Sequence, residues 1–332
     1  MGRDPHTQRG MALILAVLAV FLLSVAVIQT RAGVNMAEEI AVSAARETQA
    51  LYMARSGLAL VREALAEDDA QVDSYEDDWA AANDLGAVPI ADVGWVVGRV
   101  WDEEGKFNVL DLVNEEGEVD ADADQAALRL MDLLTYLGLP EDRAGEIVDS
   151  LVDWMDDDST VTGAGAEDPY YRSLMPPYSC PKAPPSALDE LALVKGVGSL
   201  LLSAGEGEVP PLSDYLTVHG SRKPGDRFRR VNLNTAPVEV LMALHPDVDR
   251  RLAEEIVASR AEEPFKNPAE IKDIPGGPSE EFYSNELAHL VDVSSSHFSA
   301  RITGETPSAS SRAYGVFSRQ GEVVSLVYYK GF

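Results

Sequence analysis

Carboxylates are concentrated between residues 141 and 168, where the chain carries ten acidic side chains and one arginine. Asp149, Asp153 and Asp156 follow one another at four- and three-residue spacing, so on a helix they share one face. Like charges at this spacing repel each other unless a cation neutralises them. Ca²⁺ is the natural neutraliser, because it prefers oxygen ligands and tolerates irregular coordination. The glycines of the following loop let backbone carbonyls turn inward, and the stretch is therefore a candidate calcium site.

Other interpretations of this acidic stretch compete with a calcium site. Asp156, Asp158 and Glu167 occupy positions one, three and twelve of an EF-hand, but Val161 stands where that loop requires glycine, so an EF-hand is excluded. A solvated acidic loop without a ligand is the simplest alternative and stays open. An acid–base enzyme is disfavoured, because none of the five histidines lies near the cluster and no G-x-S-x-G, Walker or H-E-x-x-H motif occurs. We therefore expect no enzymatic activity.

Composition limits the remaining function classes. The chain has 332 residues, of which 45% are hydrophobic, and its 56 acidic and 27 basic side chains give a net charge of −29. This apolar content excludes disorder throughout, and the length suggests two domains. The negative charge disfavours general binding to phosphate backbones. The single cysteine, Cys180, excludes a thiolate zinc cluster and an intrachain disulfide, and we interpret it as a bystander thiol.

An uncharged apolar run, Met11–Ile28, follows the basic residues Arg3 and Arg9. At ~1.5 Å per residue this run is long enough to cross a bilayer. It fits a cleaved secretory signal, a plain single-span anchor, or a prepilin-type signal that is cut before the run, between Gly10 and Met11.

The chain contains no proline between residues 5 and 89, so the apolar run can continue as a helix. Leu51, Leu58 and Leu65 belong to a stripe with helical spacing, which predicts one helix over about 11–66. A cleaved signal does not normally continue into a long amphipathic helix. The pattern therefore favours the prepilin-type signal.

Strand patterns flank a long helical region. Residues 95–101 are β-branched and aromatic and predict a strand. Because one strand cannot pair alone, we predict a single antiparallel sheet that a helical insertion interrupts, and hence an α+β fold. The hairpin turn between the last two strands is predicted at Arg319–Glu322. Three further strands are predicted near the end of the sequence: about 294–303, 312–319 and 322–330.

Two more acidic runs are interpreted without a ligand. Residues 63–78 hold eight acids and no base, and they predict a solvated loop. Glu118, Asp120, Asp122 and Asp124 precede a helical pattern, and we interpret them as negative charge that complements a helix N-terminus. Ca²⁺ binding at this second run stays an alternative.

The insertion contains two similar helix pairs, a helix-hairpin-helix or SAM-like arrangement, which open at 107–110 and 231–237. In the second pair, Asn234 is predicted to cap the helix, with Pro237 in its first turn. This pair resembles the DNA-binding helix-hairpin-helix of competence proteins, so a membrane-anchored DNA-binding protein is the alternative function. The turn at 245–249 disfavours it, because proline and two carboxylates replace phosphate-facing N–H donors. The local counter-argument is a basic cluster: Arg222, Lys223, Arg227, Arg229 and Arg230.

Together, these features resemble one family, the minor pseudopilin K of the type II (general) secretion pathway. The most specific pieces are the run Asp-Trp-x-Asp-x-Asp at 153–158, the Gly-Ala-Glu-Asp at 165–168 and the V-N-L-N-T-A at 231–236. The resemblance covers essentially the whole chain. Most pseudopilins carry glutamate at the fifth mature position, where it pairs with a neighbour's N-terminus. The K subunit is known to lack it, and Leu15 stands at that position here.

The resemblance implies a pilin-like α+β fold in which a large all-α insertion interrupts the sheet. The implied divisions are a prepilin leader (1–10), an N-terminal helix (11–66, with 11–28 transmembrane), a β-sheet domain (67–107 and 291–332) and an α-helical insertion domain (108–290).

The resemblance also implies a function and a location. The leader would be removed after Gly10 by prepilin peptidase, with N-methylation of Met11. The subunit would span the inner membrane once, with its head in the periplasm, and would cap the pseudopilus tip and nucleate its assembly. Minor pseudopilins I and J would be its neighbours, with H and the major pseudopilin G below. The insertion would contact the secretin and exported proteins, and no nucleic-acid partner is expected.

A structural Ca²⁺ ion in the insertion is a further implication of the resemblance. The motif carries the ligand set onto five residues of this chain: Asp153, Asp156, Asp158, Glu167 and Asp168. Asp157 is an alternative to one of its neighbours.

Overall fold

The computed structural model describes the backbone of residues 5–83, 86–90, 93–114 and 117–332. Side chains are described for the same residues except 5–12, Ala32 and Ala82. Part of the predicted leader, residues 1–4, lies outside the described residues. The side chain of Met11 also lies outside them, and cleavage between Gly10 and Met11 stays a prediction.

The N-terminal part of the chain forms one helix of 63 residues, α1 (Pro5–Glu67). At ~1.5 Å per residue it is ~95 Å long. The apolar side chains of its first half are exposed, and Leu15 among them is 61% exposed. This helix is long and apolar enough to be a candidate membrane span, with a window of mean hydropathy 2.7. The long N-terminal helix that the sequence predicts is therefore present.

The described residues form nine strands: β1 (Val88–Ile90), β2 (Gly94–Asp102), β3 (Phe107–Asn108), β4 (Leu216–Thr217), β5 (Val231–Asn232), β6 (Val291–Asp292), β7 (His297–Thr306), β8 (Ala309–Gln320) and β9 (Val323–Gly331). Five of them build one antiparallel sheet in the order β1-β2-β7-β8-β9. The short pairs β3–β4 and β5–β6 are parallel.

The antiparallel sheet confirms the prediction from four strand patterns, and β1 is an edge strand that the sequence analysis did not predict. The register places Arg301 opposite Arg99 on β2 and opposite Tyr314 on β8. β8 and β9 are joined at the predicted hairpin, where Gly321 takes a φ of 62°. This left-handed conformation favours glycine.

One hydrophobic cluster lies between α1 and the sheet. It includes Leu58 and Leu65 of α1 and Phe298 and Ile302 of β7. Gly57 approaches β7 so closely that a Cβ atom there would lie 2.6 Å from Cγ2 of Ile302. Glycine weakens an isolated helix, but at this position its small size permits the close contact between helix and sheet.

The segment between β3 and β6 contains the remaining α-helices, together with β4 and β5. Its α-helices are α2 (Ala121–Tyr136), α3 (Glu141–Met155), α4 (Asp168–Ser173), α5 (Gly198–Ser203), α6 (Val238–Met242), α7 (Arg250–Glu262) and α8 (Glu280–Phe282). Within this segment, short 3₁₀ turns lie at Val109–Leu112, Leu188–Leu193, Leu212–Asp214 and Pro268–Lys272, and a π turn lies at Tyr283–Leu287. A further 3₁₀ turn, Ala81–Asn83, precedes β1. A second hydrophobic cluster consists of buried residues that lie between Phe107 and Val293 in the sequence.

The acidic run before α2 caps that helix. Asp120 accepts hydrogen bonds from the backbone N–H groups of Asp122 and Ala123, both at 2.9 Å. Asp122 and Asp124 lie in the first turn of α2. This arrangement agrees with the interpretation that the run complements a helix N-terminus.

Two local predictions are wrong. Residues 63–78 do not form a uniformly solvated loop, because Asp73 is fully buried against Arg319 of β8. A buried guanidinium compensates that carboxylate, which the local composition does not reveal.

Asn234 does not cap the helix of the second pair, since Pro237 is the residue that precedes α6. The side chain of Asn234 instead accepts a hydrogen bond from the backbone N–H of Phe265 at 2.9 Å and donates one to the backbone carbonyl of Phe265 at 3.0 Å.

Candidate functional site

The acidic stretch is positioned by the end of α3 and the start of α4. α3 buries an apolar face that includes Leu151, which fixes the direction of the carboxylates near its C-terminus. Asp153 lies in the last turn, and Asp156 follows the final helical residue. Glu167 is the N-cap of α4, and Asp168 is its first residue. The two helix ends therefore bring separate parts of the acidic stretch together.

Asp156, Asp158 and Glu167 form a group whose carboxylate oxygens lie within 4.8 Å of one another. Asp156 and Glu167 are buried, at 4% and 2% exposure. Within the described part of the chain, Oδ1 of Asp156, Oε1 of Glu167 and Oδ2 of Asp153 are buried without a hydrogen-bond partner. Unpaired buried carboxylate oxygens are destabilising on their own. They are also the ligands that Ca²⁺ prefers, so these residues fit a hard divalent cation.

The electrostatics of this group are those of crowded carboxylates. Burial raises the pKa of Asp156 to about 6, and the negative charges of Asp158, Asp153 and Glu167 contribute to that rise. Burial also raises the pKa of Asp153. A cation bound among these oxygens would favour their ionised forms.

The loop between α3 and α4 is held by two carboxylates of α3. The backbone N–H of Ala164 donates to Oδ2 of Asp149 at 2.7 Å, and that of Thr162 donates to Oδ1 of Asp153 at 2.9 Å. Gly165 lies so close that a Cβ atom would be 2.2 Å from Oδ2 of Asp153. The predicted acidic face of α3 is thus divided, because Asp149 holds the loop and Asp156 joins the group at the helix end.

Asp168 is a predicted ligand that the structure does not bring into the group. Its Oδ1 accepts a hydrogen bond from the backbone N–H of Cys180 at 3.1 Å. Its Oδ2 pairs with Nε of Arg172 at 2.6 Å. Both oxygens of Asp168 therefore stabilise α4 and the segment after it. Asp157, the alternative ligand, is likewise outside the group.

Lys182 is a component of the site that the sequence analysis missed. Its ammonium group donates to the backbone carbonyl of Asp158 and to Oγ of Ser159, the latter at 2.6 Å. It also lies 3.6 Å from Oε2 of Glu167. Lys182 lowers the pKa of Asp156, and it therefore supplies positive charge to the group. Nothing in its local spacing indicated this contact, which joins segments more than 20 residues apart.

Cys180 is packed as a neutral thiol. Its Sγ donates to the backbone carbonyl of Asp153 at 3.3 Å. Burial raises the pKa of Cys180 to about 11, so the thiolate that nucleophilic chemistry requires is disfavoured at neutral pH. This agrees with the interpretation of Cys180 as a bystander.

A second polar cluster connects the sheet with the helical segment. Asp102, at the end of β2, accepts hydrogen bonds from Asn232 (2.9 Å), Thr235 (2.6 Å) and Ser295 (2.7 Å). Burial raises the pKa of Asp102 to about 6, and the negative charge of Glu104 contributes to that rise. The V-N-L-N-T-A motif therefore joins the two parts of the head, which the sequence analysis did not foresee.

The basic cluster that supported DNA binding is paired within the chain. Its ion pairs are Arg222 and Arg229 with Asp111, Arg227 with Asp122, Arg230 with Asp226, and Lys223 with Asp292. Carboxylates thus neutralise all five cations locally. The local argument for phosphate binding is therefore removed.

The architecture of the described residues defines a class of protein. A long N-terminal helix with an exposed apolar first half and a second half packed on an antiparallel sheet is a pilin-like, structural arrangement. Among the described residues, the group of Asp156, Asp158 and Glu167 contains no nucleophile paired with a general base, which is the arrangement that enzymes use for nucleophilic catalysis.

Comparison with known proteins identifies the family. Two family models, both described as Type II secretion system (T2SS), protein K, match residues 105–204 and 231–294. The type II secretion system protein K of Aeromonas hydrophila is 30% identical, over 94% of this chain and 93% of that protein. The protein K of Pseudomonas aeruginosa is 29% identical, over 78% of this chain and 74% of that protein. The chain belongs to the type II secretion system protein K family, and it is a minor pseudopilin of that system.

A solved structure shares the fold. A chain in the crystal structure of the GspK–GspI–GspJ complex from the type 2 secretion system of enterotoxigenic Escherichia coli aligns with a TM-score of 0.62. The identity is 20%, and the alignment covers 92% of this chain and 99% of that one. The α+β pilin-like fold is therefore shared over nearly the full length of both chains.

Proposed function

We propose that this minor pseudopilin caps the tip of the type II secretion pseudopilus and nucleates its assembly for protein export across the outer membrane. The two halves of α1 carry this proposal. Side chains 13–28 are apolar except for Ser24, and all but Val25 are exposed, whereas Leu58 and Leu65 pack on the sheet. The first half is suited to a membrane or a bundle of similar helices, and the second half holds the head at its end. Leu15 offers no carboxylate to a subunit above it, which suits a terminal position.

The proposal includes defined partners and a defined location. Minor pseudopilins I and J are the proposed neighbours, with H and the major pseudopilin G below, and the complex of GspK, GspI and GspJ supports I and J. Prepilin peptidase would remove the leader after Gly10, leaving Met11 as the methylated N-terminus. The head would lie in the periplasm, where the insertion meets the secretin and exported proteins.

Ca²⁺ is the proposed structural ion of the head. Asp156, Asp158 and Glu167 would hold it, with Asp153 beside them, and their unpaired buried oxygens support this assignment. The bound ion would supply the positive charge that links the end of α3 to the start of α4. Asp168 is left out of this set because both its oxygens already have partners.

The position at the tip can be tested by assembly in cells. The full chain, the I and J subunits and the major pseudopilin are expressed together, and filaments are counted with and without this chain. We expect a detergent-stable complex with I and J, and far fewer filaments when this chain is omitted. Equal filament numbers, or no association with I and J, would contradict the proposal.

A further inference from the structure

The face of the sheet opposite α1 is basic. Val100, Ile302 and Ala313 are buried against α1, and neighbouring residues on a strand point to opposite faces. The side chains adjacent to these positions therefore form what we call the outer basic face: Arg99, Trp101, Arg301, Arg312, Tyr314, Tyr328 and Lys330.

One row of this face repeats positive charge across the strands. Arg99 pairs with Arg301, Arg301 with Tyr314, and Tyr314 with Lys330. Neighbouring strands lie ~4.8 Å apart, so Arg99 and Arg301 are like charges placed directly opposite each other, which is destabilising. Arg312 lies on the same face, next to this row. Folding alone does not explain this arrangement.

These arginines have no internal counter-ion. In the part of the chain that the structure describes, no carboxylate lies within 4.0 Å of the guanidinium groups of Arg99, Arg301 or Arg312, and all three side chains are exposed. The basic cluster of the insertion is different, since each of its five cations has a carboxylate partner. Unpaired arginines on one face of a chain with net charge −29 mark a surface that attracts external carboxylates.

An aromatic cleft adjoins the arginines. A cavity of about 150 Å³ lies between the outer basic face and the insertion, lined by Trp101, Tyr314 and Tyr328 on the sheet side. The guanidinium carbon of Arg301 lies 5.5 Å from the ring centroid of Trp101. The rings of Tyr314 and Tyr328 are 6.1 Å apart. The cleft therefore offers a place for one side chain next to the unpaired charges.

Glu305 of β7 lies on the same face as Arg301 and bonds Trp95, and two carboxylates of the insertion reach the face. Asp189 of the insertion pairs with Lys330 at 2.5 Å, and both side chains remain about half exposed, at 64% and 48%. Asp214 also lines the cleft from the insertion side. Lys330 is thus partly neutralised, whereas Arg99 and Arg301 are free to receive carboxylates from outside the chain.

We propose that the outer basic face binds an extended acidic segment of another protein. Carboxylates two residues apart would pair with Arg99 and Arg301, and an aromatic side chain between or beside them would enter the cleft. Lipid headgroups are a poor fit, because the sheet meets α1 only from the level of Glu47, whose backbone carbonyl accepts a hydrogen bond from Ser311 near the start of β8. Glu47 lies 19 residues beyond Ile28, or ~28 Å along the helix. A long nucleic-acid backbone is disfavoured by the net negative charge around the face.

The test uses the full chain in detergent micelles and a fluorescein-labelled peptide of ten residues that alternates glutamate and tyrosine. Fluorescence anisotropy at low salt measures its binding, and a glutamine–tyrosine peptide is the uncharged comparison. We expect the acidic peptide to bind and the uncharged peptide to bind at least about tenfold more weakly, because charge-assisted hydrogen bonds are lost. Salt is expected to weaken binding of the acidic peptide.

Matched variants locate the site. Arg99→Ala with Arg301→Ala should weaken binding about tenfold or more, whereas Arg46→Ala with Arg62→Ala removes the same charge from α1 and should leave it unchanged. Asp189→Asn should strengthen binding severalfold by freeing Lys330. Because Arg99 and Arg301 are exposed and repel each other, the first variant should keep the melting temperature of the wild type.

Four results would overturn the proposal. The two double variants could bind the peptide equally, or the two peptides could bind the wild type equally. A twelve-nucleotide thymidine strand could bind this face more tightly than the acidic peptide, which would indicate a nucleic-acid site instead. Loss of self-association in the Arg99→Ala, Arg301→Ala variant, without peptide binding by the wild type, would assign the face to a second copy of this chain.

Discussion

Nη2 of Arg319 lies 2.6 and 2.5 Å from the two carboxylate oxygens of Asp73, and both side chains are buried. Nη1 of the same guanidinium is 3.0 Å from Asp68. Asp73 also accepts the backbone N–H of Ser295 at 2.7 Å. This pair therefore ties the segment after α1 to β8 and to the end of the insertion.

Arg319→Met should strongly destabilise the head, because Asp73 would be left as an uncompensated buried charge. Removing one partner of a buried ion pair costs about 3–5 kcal/mol. The free energy of unfolding, measured with urea in detergent micelles, checks this value. Lys330→Met is the control, since it breaks an exposed ion pair and should cost less than about 1 kcal/mol. Similar losses of unfolding free energy in the two variants would show that the buried ion pair contributes no more to stability than the exposed one.

Asp102 should make stability depend on pH. Its pKa in the folded state is about 6, above the ordinary value of 3.8, so the folded state binds this proton more readily than the unfolded state. Its contribution to stability is therefore present at low pH and is lost as the pH rises from about 4 through 6. Relative to Asp102→Asn, the wild type should lose unfolding free energy over that window and change little above it. Parallel pH profiles for the two proteins would contradict this.

Lys182 should compete with Ca²⁺. Its ammonium group lies 3.6 Å from Oε2 of Glu167 and lowers the pKa of Asp156, so it neutralises part of the charge that an ion would meet. We expect Lys182→Met to bind Ca²⁺ severalfold more tightly in calorimetry and to melt at a lower temperature when EGTA is present. Asp156→Asn should weaken binding more than about tenfold, because it removes a charged ligand.

The exposed Lys266→Met is the control for Lys182→Met, and it should leave Ca²⁺ binding unchanged. Weaker Ca²⁺ binding by Lys182→Met would mean that the lysine supports the site rather than competing with the ion. Identical melting curves of the wild type with Ca²⁺ and with EGTA would remove the metal site altogether.

Two glycines of α1 should respond in opposite ways to alanine. Gly57→Ala places a Cβ atom 2.6 Å from Cγ2 of Ile302 and should destabilise the head by about 1–3 kcal/mol. Gly33 has no atom within 4 Å of such a Cβ, so Gly33→Ala should stabilise the isolated chain by about 0.5–1 kcal/mol through helix propensity. Thermal unfolding of both variants checks the pair. A stabilised Gly57→Ala would show that α1 and β7 are less closely packed than described.

Gly10→Ala should block leader removal, because the proposed cut follows this glycine. N-terminal sequencing of the membrane-extracted chain distinguishes the outcomes, and wild type is expected to begin at Met11. Gly33→Ala serves as a glycine control outside the leader. Normal processing of Gly10→Ala, or a wild-type chain that begins beyond residue 28, would exclude the prepilin-type signal.

Features with a regular local period were predictable from the sequence. The stripe of Leu51, Leu58 and Leu65 predicts α1, and β-branched and aromatic residues predict β2 and the last three strands. The edge strand β1 was missed because it has only three residues, one of them proline. Short strands with proline carry almost no periodic signal.

Features that depend on distant partners were not predictable. Asp102 and Asn232 are 130 residues apart, and Arg319 and Asp73 are 246 apart, yet each pair is in direct hydrogen-bond contact. Local composition indicated only that Asp73 belongs to an acidic run. Where the burial of a carboxylate depends on a cation from another element, the sequence near that carboxylate cannot reveal it.

The acidic site was partly predictable. Spacing drew attention to Asp149, Asp153 and Asp156, and the family resemblance implied the ligands Asp153, Asp156, Asp158, Glu167 and Asp168. The structure brings Asp156, Asp158 and Glu167 together. The resemblance gave Asp168 equal weight, although Arg172 and Cys180 occupy both its oxygens. Neither spacing nor resemblance tells which carboxylates are already engaged in holding a helix.

The uninterrupted length of α1 has a mechanical consequence. Intrahelical hydrogen bonds continue through α1 from Pro5 to Glu67, and the last third of the helix packs on the sheet through Gly57 and Leu65. A displacement along the helix axis would therefore be passed on to the sheet without a break in the described helix.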